Sequence, residues 1–158
     1  MLPGDRLICA FVSPQEVGTK FTSWKLHVTV VPWFRVDAES DIIASGLTRA
    51  LKTMAPFSVT GGGEEMVGIR KTRHARLVKD PTALAGVAAK VRTYLHKKGA
   101  LLIDETTKEP PVFRPHVTSQ GNVTMHADDT FRCDRLYIVK QFGVYKEIVG
   151  EIPLGTTA

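Results

Sequence analysis

Three features of the sequence predict an α+β fold of mainly antiparallel sheet with helices packed outside. Its apolar periodicity passes twice from the two-residue repeat of strands to the helical repeat and back. The segments flanking both helical stretches are rich in β-branched and aromatic residues and are bounded by glycine and proline. The triplet His-Val-Thr also occurs twice, at 27–29 and 116–118, at comparable places in two halves of similar content. The 158 residues are therefore expected to form a single bilobal domain, 1–158, built from a duplicated α+β unit. A chain of this length buries about two thirds of its unfolded surface and needs no disulfides to do so.

The elements follow in order. RLICAFVS, residues 6 to 13, is a short apolar run between Pro3-Gly4 and Ser13-Pro14, which reads as a strand buried on both faces. A short loop leads to the first motif strand, about Lys25 to Phe34, and Pro32 marks an end, bulge or sheet edge because it lacks a ladder donor. Ile43, Leu47, Leu51 and Met54 then recur at helical spacing, predicting a helix over 38–54 that Pro56 stops. In PFSVTGGGEEMVGIR the glycines are expected to form a hairpin turn between two strands. They lack the GxxxxGK[ST] pattern of a phosphate loop and no helix opens after them. His74 to Val78 reads as a strand. Asp80-Pro81 opens a second helix, 81–98, with Leu84, Ala88, Val91 and Leu95 on its apolar face and Gly99 at its end. The connection 100–113 has a polar, proline-rich middle and delivers the second motif strand. FRCDRLYIVKQF and VYKEIVGEIPL close the chain as strands, the last with Ile148, Gly150, Ile152 and Leu154 on one face.

Composition narrows the function only by exclusion. Cys9 and Cys133 lie in apolar runs without metal-ligand or redox spacing, so reduced, buried thiols are expected and no metal site or cofactor is assigned. No apolar run reaches the length of a membrane span and no leader-like pattern opens the sequence, which points to a soluble, cytoplasmic protein. The net charge of +5 and pI near 9.4 favour an anionic partner without identifying one.

The repeated triplet carries the chemistry. In a strand, residues i and i+2 share a face, so His27 and Thr29 project together, as do His116 and Thr118. If the two strands are neighbours, two imidazole–hydroxyl pairs face one cleft, an arrangement suited to acid–base work on a phosphate. With five histidines in 158 residues, about 0.7 triplets of the type H-x-[ST] arise by chance at ordinary composition. Repetition alone is thus weak evidence, and the identical HVT in matching strand contexts is what gives it weight. Lys25 and Arg114 precede the histidines by two and are candidates for phosphate electrostatics. Trp33 is on the cleft side by parity and a candidate for stacking a base, with the core as its other reading. His74, His96 and His126 have no such company and read as surface residues. The glycine turn with Arg70, Lys71, Arg73 and Arg76 forms the densest basic stretch and could guide a polynucleotide; Lys90, Arg92, Lys97 and Lys98 on the second helix could form an RNA-binding face, with a solvated helix surface as the favoured reading.

Taken together, RLICAFVS, HVTVVPWF, PFSVTGGG, the proline-started helix, PHVTS and the closing strands from Tyr145 to Leu154 make the chain resemble the two-histidine phosphoesterase superfamily. That group includes 2′-5′ RNA ligase-like proteins and cyclic phosphodiesterases. The resemblance implies a central cleft in which His27, Thr29, His116 and Thr118 are the catalytic set, and it adds Tyr145 to Lys25, Trp33 and Arg114 as a substrate-binding candidate. It implies a metal-independent enzyme acting on 2′,3′-cyclic phosphate or 2′-5′ linked ends of nucleotides or RNA, one histidine serving as base and the other as acid. A non-catalytic RNA- or nucleotide-binding protein using the same cleft is the alternative.

Overall fold

β1 (Arg6–Phe11) is the strand around which the sheet is laid, since all six of its residues are buried. The structure is a computed structural model describing residues 1–107 and 112–155. β1 lies antiparallel between β3 (His27–Arg35) and β9 (Arg135–Gln141). β10 (Lys146–Pro153) and the two-residue β2 (Lys20–Phe21) extend the sheet beyond β9. On the other side β3 is followed by β7 (His116–Thr118), β5 (Arg73–Val78), β4 (Phe57–Val67) and β8 (Thr130–Cys133), while β6 (Leu101–Leu102) also pairs with β3. Every pairing is antiparallel.

Alternation along β1 divides the core in two. Ile8 and Ala10 join Val28, Phe34, Leu136 and Ile138 under the two helices, whereas Leu7, Cys9 and Phe11 join Tyr137, Val139 and Ile148 on the opposite face. Helix α1 (Ser40–Ala50) inserts Ile43 and Leu47, and α2 (Thr82–Lys97) inserts Leu84, Val87, Val91 and Leu95. Each fully buried aliphatic side chain of this kind contributes about 1.5–3 kcal/mol. Asp80 accepts hydrogen bonds from the Thr82 amide at 3.1 Å and the Thr82 hydroxyl at 2.7 Å, and Gly99, at φ +75°, closes the last turn. α1 is shorter than its periodicity predicts: beyond Ala50 the chain leaves the α-helix, and Met54 donates to Leu51 instead. Among the described residues no helix is long and apolar enough to cross a membrane. Both cysteines are free and buried, and burial pushes the Cys133 thiol up to about 12 and the Cys9 thiol higher still.

Two strands depart from the sequence reading. Gly61-Gly62-Gly63 forms no hairpin turn but sits inside β4, at a register shift between Gly61 and Glu64. The reason is tertiary: a Cβ on Gly61 would stand 2.5 Å from the His126 carbonyl oxygen, so at this position the segment 126–129 lies closer to the strand than a side chain would allow. The turn comes later, at 68–72, where Gly68 has φ +95° and Lys71 φ +50°. In β10 a register shift between Ile148 and Gly150 moves Ile148 to the face of Phe11 and Tyr137 while Ile152 stays under the helices, so the strand does not keep a single wet face. The connection before the second motif also contains β6 and a 3-10 turn, Ile103–Thr106. Its proline-rich middle, 108–111, lies outside the described residues.

Candidate active site

The two motif strands are neighbours. Val28 pairs with Val117, and both are buried in the core at 0% and 1% exposure, so the residues flanking each valine are turned to the opposite face. The antiparallel register sets His27 across from Thr118 and Thr29 across from His116. Directly opposed side chains have Cβ atoms about 4.5–5.5 Å apart and diagonal ones about 7–8 Å, so the imidazoles occupy one diagonal of a four-residue patch and the hydroxyls the other. All four are half-buried. β5 continues this face, with Leu77 beside His116 and the small Ala75 beside Thr118.

The same backbone device orients both imidazoles. Nδ1 of His27 lies 2.8 Å from the Lys25 carbonyl oxygen, and Nδ1 of His116 lies 2.9 Å from that of Arg114. A carbonyl only accepts, so Nδ1 carries the proton in each ring and Nε2 is left as the uncommitted nitrogen, a lone pair when the ring is neutral and a donor when it is charged. Among the described residues neither threonine hydroxyl is engaged in a hydrogen bond, and Gln120 Nε2 donates to the Thr118 backbone oxygen instead. Two proton carriers and two free donors thus share one patch.

Their surroundings differ. The Trp24 indole stacks on the His27 ring with centroids 4.2 Å apart and planes at 29°, and Phe11 approaches it at 6.0 Å. Burial holds His27 below the ordinary imidazole value, the hydrogen bond to Lys25 acts in the opposite direction, and the positive form of His116 adds to the lowering. Since the folded state resists protonating His27 more than the unfolded chain does, stability rises with pH between the folded value and the ordinary value near 6.5. Trp24→Leu is expected to move the His27 titration up toward its ordinary value in an NMR titration. An unchanged or lower value would show that the indole does not set this environment.

The remaining candidates scatter. β3 begins at His27, so strand parity does not govern Lys25, which is exposed and contributes its carbonyl. Arg114 also precedes its strand. Its guanidinium reaches Glu65 at 2.9 Å, and Glu65, opposite Ala75 in register, shares the face of Thr118. Trp33 is half-buried, edge-on to Trp24 at 6.5 Å, within the apolar cluster on the His27 side. Tyr145 is not brought to the histidines. It stacks on Phe142 at 5.1 Å at the β9–β10 turn, because Lys146, one residue on, takes the face that points over Trp24 at 5.8 Å. His74, His96 and His126 stand on the surface beside Glu64, Glu105 and Asp129. Arg76 is structural, donating to the Met125 and Gly62 carbonyls. Arg92 turns inward to Asp104 and Glu105 rather than joining a solvated basic face. Trp24, Glu65 and Lys146 are neighbours of the candidate patch that the sequence pattern missed. Only the position of Trp24, three residues before a motif histidine, was a signal that could have been used.

Comparison with known proteins bears on the fold and the family. Solved structures matching almost the whole chain include a protein described as a phosphoesterase, with a TM-score of 0.60 at 14% identity over 98% of this chain and 100% of the other. LigT of E. coli complexed with 3′-AMP matches with a TM-score of 0.59 at 14% identity over 98% and 100%. The TT0787 protein of Thermus thermophilus matches with 0.59 at 17% identity over 97% and 100%. No curated protein sequence matches significantly. The family model of the 2′-5′ RNA ligase superfamily matches residues 10–141, a span that holds both His-Val-Thr strands, and the chain belongs to that superfamily.

Proposed function

We propose that this protein is a metal-independent phosphoesterase that opens 2′,3′-cyclic phosphates or cleaves 2′-5′ linkages at nucleotide or RNA ends, with His27, Thr29, His116 and Thr118 as its catalytic residues. The observation that carries the reading is the matched pair of Nδ1–carbonyl hydrogen bonds, which leaves one uncommitted Nε2 on each side of the strand pair. Opening a cyclic phosphate requires that water attack phosphorus, that one proton leave the water and that one reach the departing ribose oxygen. Two imidazoles in opposite protonation states supply both transfers. His27 is the better base, because its surroundings favour the neutral ring, and His116 is then the acid. The threonine hydroxyls donate to the non-bridging oxygens as charge builds on them. Membership of the superfamily and the bound 3′-AMP in LigT support a nucleotide or RNA end as the substrate.

The test is turnover in EDTA of 2′,3′-cyclic mononucleotides, a cyclic-phosphate-ended RNA and 2′-5′ linked oligoadenylate. Cleavage of one of them with a bell-shaped pH–rate profile is expected. Ligand affinity without turnover of any would instead make the protein a nucleotide-binding member of the superfamily.

A further inference from the structure

The turn between β9 and β10 carries apolar surface that the fold does not use. Phe142 is 39% exposed and Val144 87%. The first residues of the chain lie against the same turn: the Gly4 amide donates to the Gln141 carbonyl at 2.7 Å, and the Gln141 side chain donates to the Met1 sulfur at 3.2 Å. Met1 and Leu2, 62% and 55% exposed, thereby extend the patch, and large apolar side chains from two segments share one end of the sheet. Single exposed apolar residues are ordinary, whereas a contiguous group marks a surface that meets a partner.

Cations surround this group. Lys140 leads into the turn and Lys146 leads out of it, and their register partners, Glu147 and Gln141, place them on opposite faces of the ribbon. Lys20 joins them from β2. The rings at the turn are already engaged: Phe142 and Tyr145 stack at 5.1 Å with planes 10° apart, and the ammonium groups of Lys140 and Lys20 stand 5.3 Å from the Phe142 and Tyr145 centroids. Little ring face is left on which a nucleobase could stack, and Val144, Leu2 and Met1 offer it no side-chain hydrogen bond. Lysine is depleted at protein–protein interfaces. Lysines that lay their stems along aromatic rings, a tyrosine beside apolar neighbours and aliphatic side chains exposed on a turn instead match a surface that meets a bilayer. There Lys and Tyr keep their polar ends among the headgroups while the apolar groups go deeper.

We infer that the β9–β10 turn docks on anionic membrane surfaces, with Phe142, Val144 and Leu2 entering the boundary between headgroups and acyl chains and Lys20, Lys140 and Lys146 contacting the acidic headgroups. Docking does not require the motif strands to face the bilayer. Lys140 pairs with Arg6 at one end of β1, and His27 pairs with Phe11 at the other.

The test is flotation of the protein with vesicles of phosphatidylcholine alone and of phosphatidylcholine with about one quarter phosphatidylserine. Binding is expected to be stronger by about tenfold or more on the anionic vesicles. That is less than three independent lysines would give, because Glu147 stands opposite both Lys20 and Lys140 in register. It should fall as salt rises from about 0.1 to 0.5 M. Val144→Asp, at a side chain with little packing to lose, should weaken binding by about tenfold or more with the thermal midpoint unchanged. Lys20→Glu combined with Lys140→Glu should abolish the preference for anionic lipid. A polarity-sensitive fluorophore on Val144→Cys should shift to the blue on anionic vesicles, while the same label on Ile69→Cys, fully exposed on the β4–β5 turn, should not. The native thiols are buried and do not compete for the label. Absence of binding, binding that Val144→Asp leaves unchanged, or a shift at Ile69 rather than at Val144 overturns the inference. Capture of single-stranded RNA in place of vesicles overturns it too, as does self-association that Val144→Asp disperses without any vesicle binding.

Discussion

His27→Ala and His116→Ala are each expected to lower kcat on the cleaved substrate by about 10²–10⁴-fold, with KM little changed. Both side chains are half-buried, and the buried partners that hold the two strands together are Val28 and Val117. His27 also packs under Trp24 and beside Phe11, so the thermal midpoint of its variant is measured alongside, and in a variant that remains folded a loss of activity can be read as a loss of chemistry. The two losses should not multiply in the double variant, because proton removal and proton delivery belong to one transition state and a site lacking either is already close to the residual rate. The pH–rate profile separates the roles. Loss of the acidic limb in the His27 variant, with the basic limb kept, assigns the base to His27, and the converse result assigns it to His116. If kcat survives either substitution in a folded protein, the two-histidine mechanism is wrong.

The parts of the molecule that could be read from sequence are those fixed by alternation. The valines of the motif strands had to be buried if the histidines and threonines shared a face, and the apolar spacing of both helices located the residues that pack on the sheet. Long-range contacts decided the rest. The glycine run forms a bulge because the His126 carbonyl lies against it, and nothing within 61–63 encodes that approach. Arg92 looked like a solvated charge because its partners, Asp104 and Glu105, come from a connection without periodicity. Trp24 was passed over because it precedes the strand, where parity gives no information, although its ring stacks on His27 more closely than that of Phe11 approaches it. Lys25 and Arg114 each place a backbone carbonyl on the Nδ1 of a motif histidine, a contact that side-chain alternation does not encode.

Thr29→Val and Thr118→Val are each expected to lower kcat by about 10²–10³-fold, the usual loss of one donor aimed at developing negative charge. Valine keeps the shape and the β-branch that suit a strand, so the substitution removes the hydroxyl and little else. Because each threonine sits across from the other motif's histidine, a phosphate held between the imidazoles as proposed would meet one hydroxyl from either side, and the two donors would serve different non-bridging oxygens. Their effects should accordingly be closer to additive than those of the histidines. Thr→Ser at either position keeps the hydroxyl and should restore most of the rate, an outcome that a purely packing role for the methyl group would not produce. Should valine leave kcat intact and only raise KM, the hydroxyls bind the ground state as firmly as the transition state, and the charge on phosphorus must be met by Arg114 or Lys146 instead. The Arg114–Glu65 pair makes that alternative measurable. Arg114 is 62% exposed and Glu65 is the group that holds it, so Glu65→Gln would then tighten phosphate binding, whereas with the threonines as donors it should leave kcat unchanged.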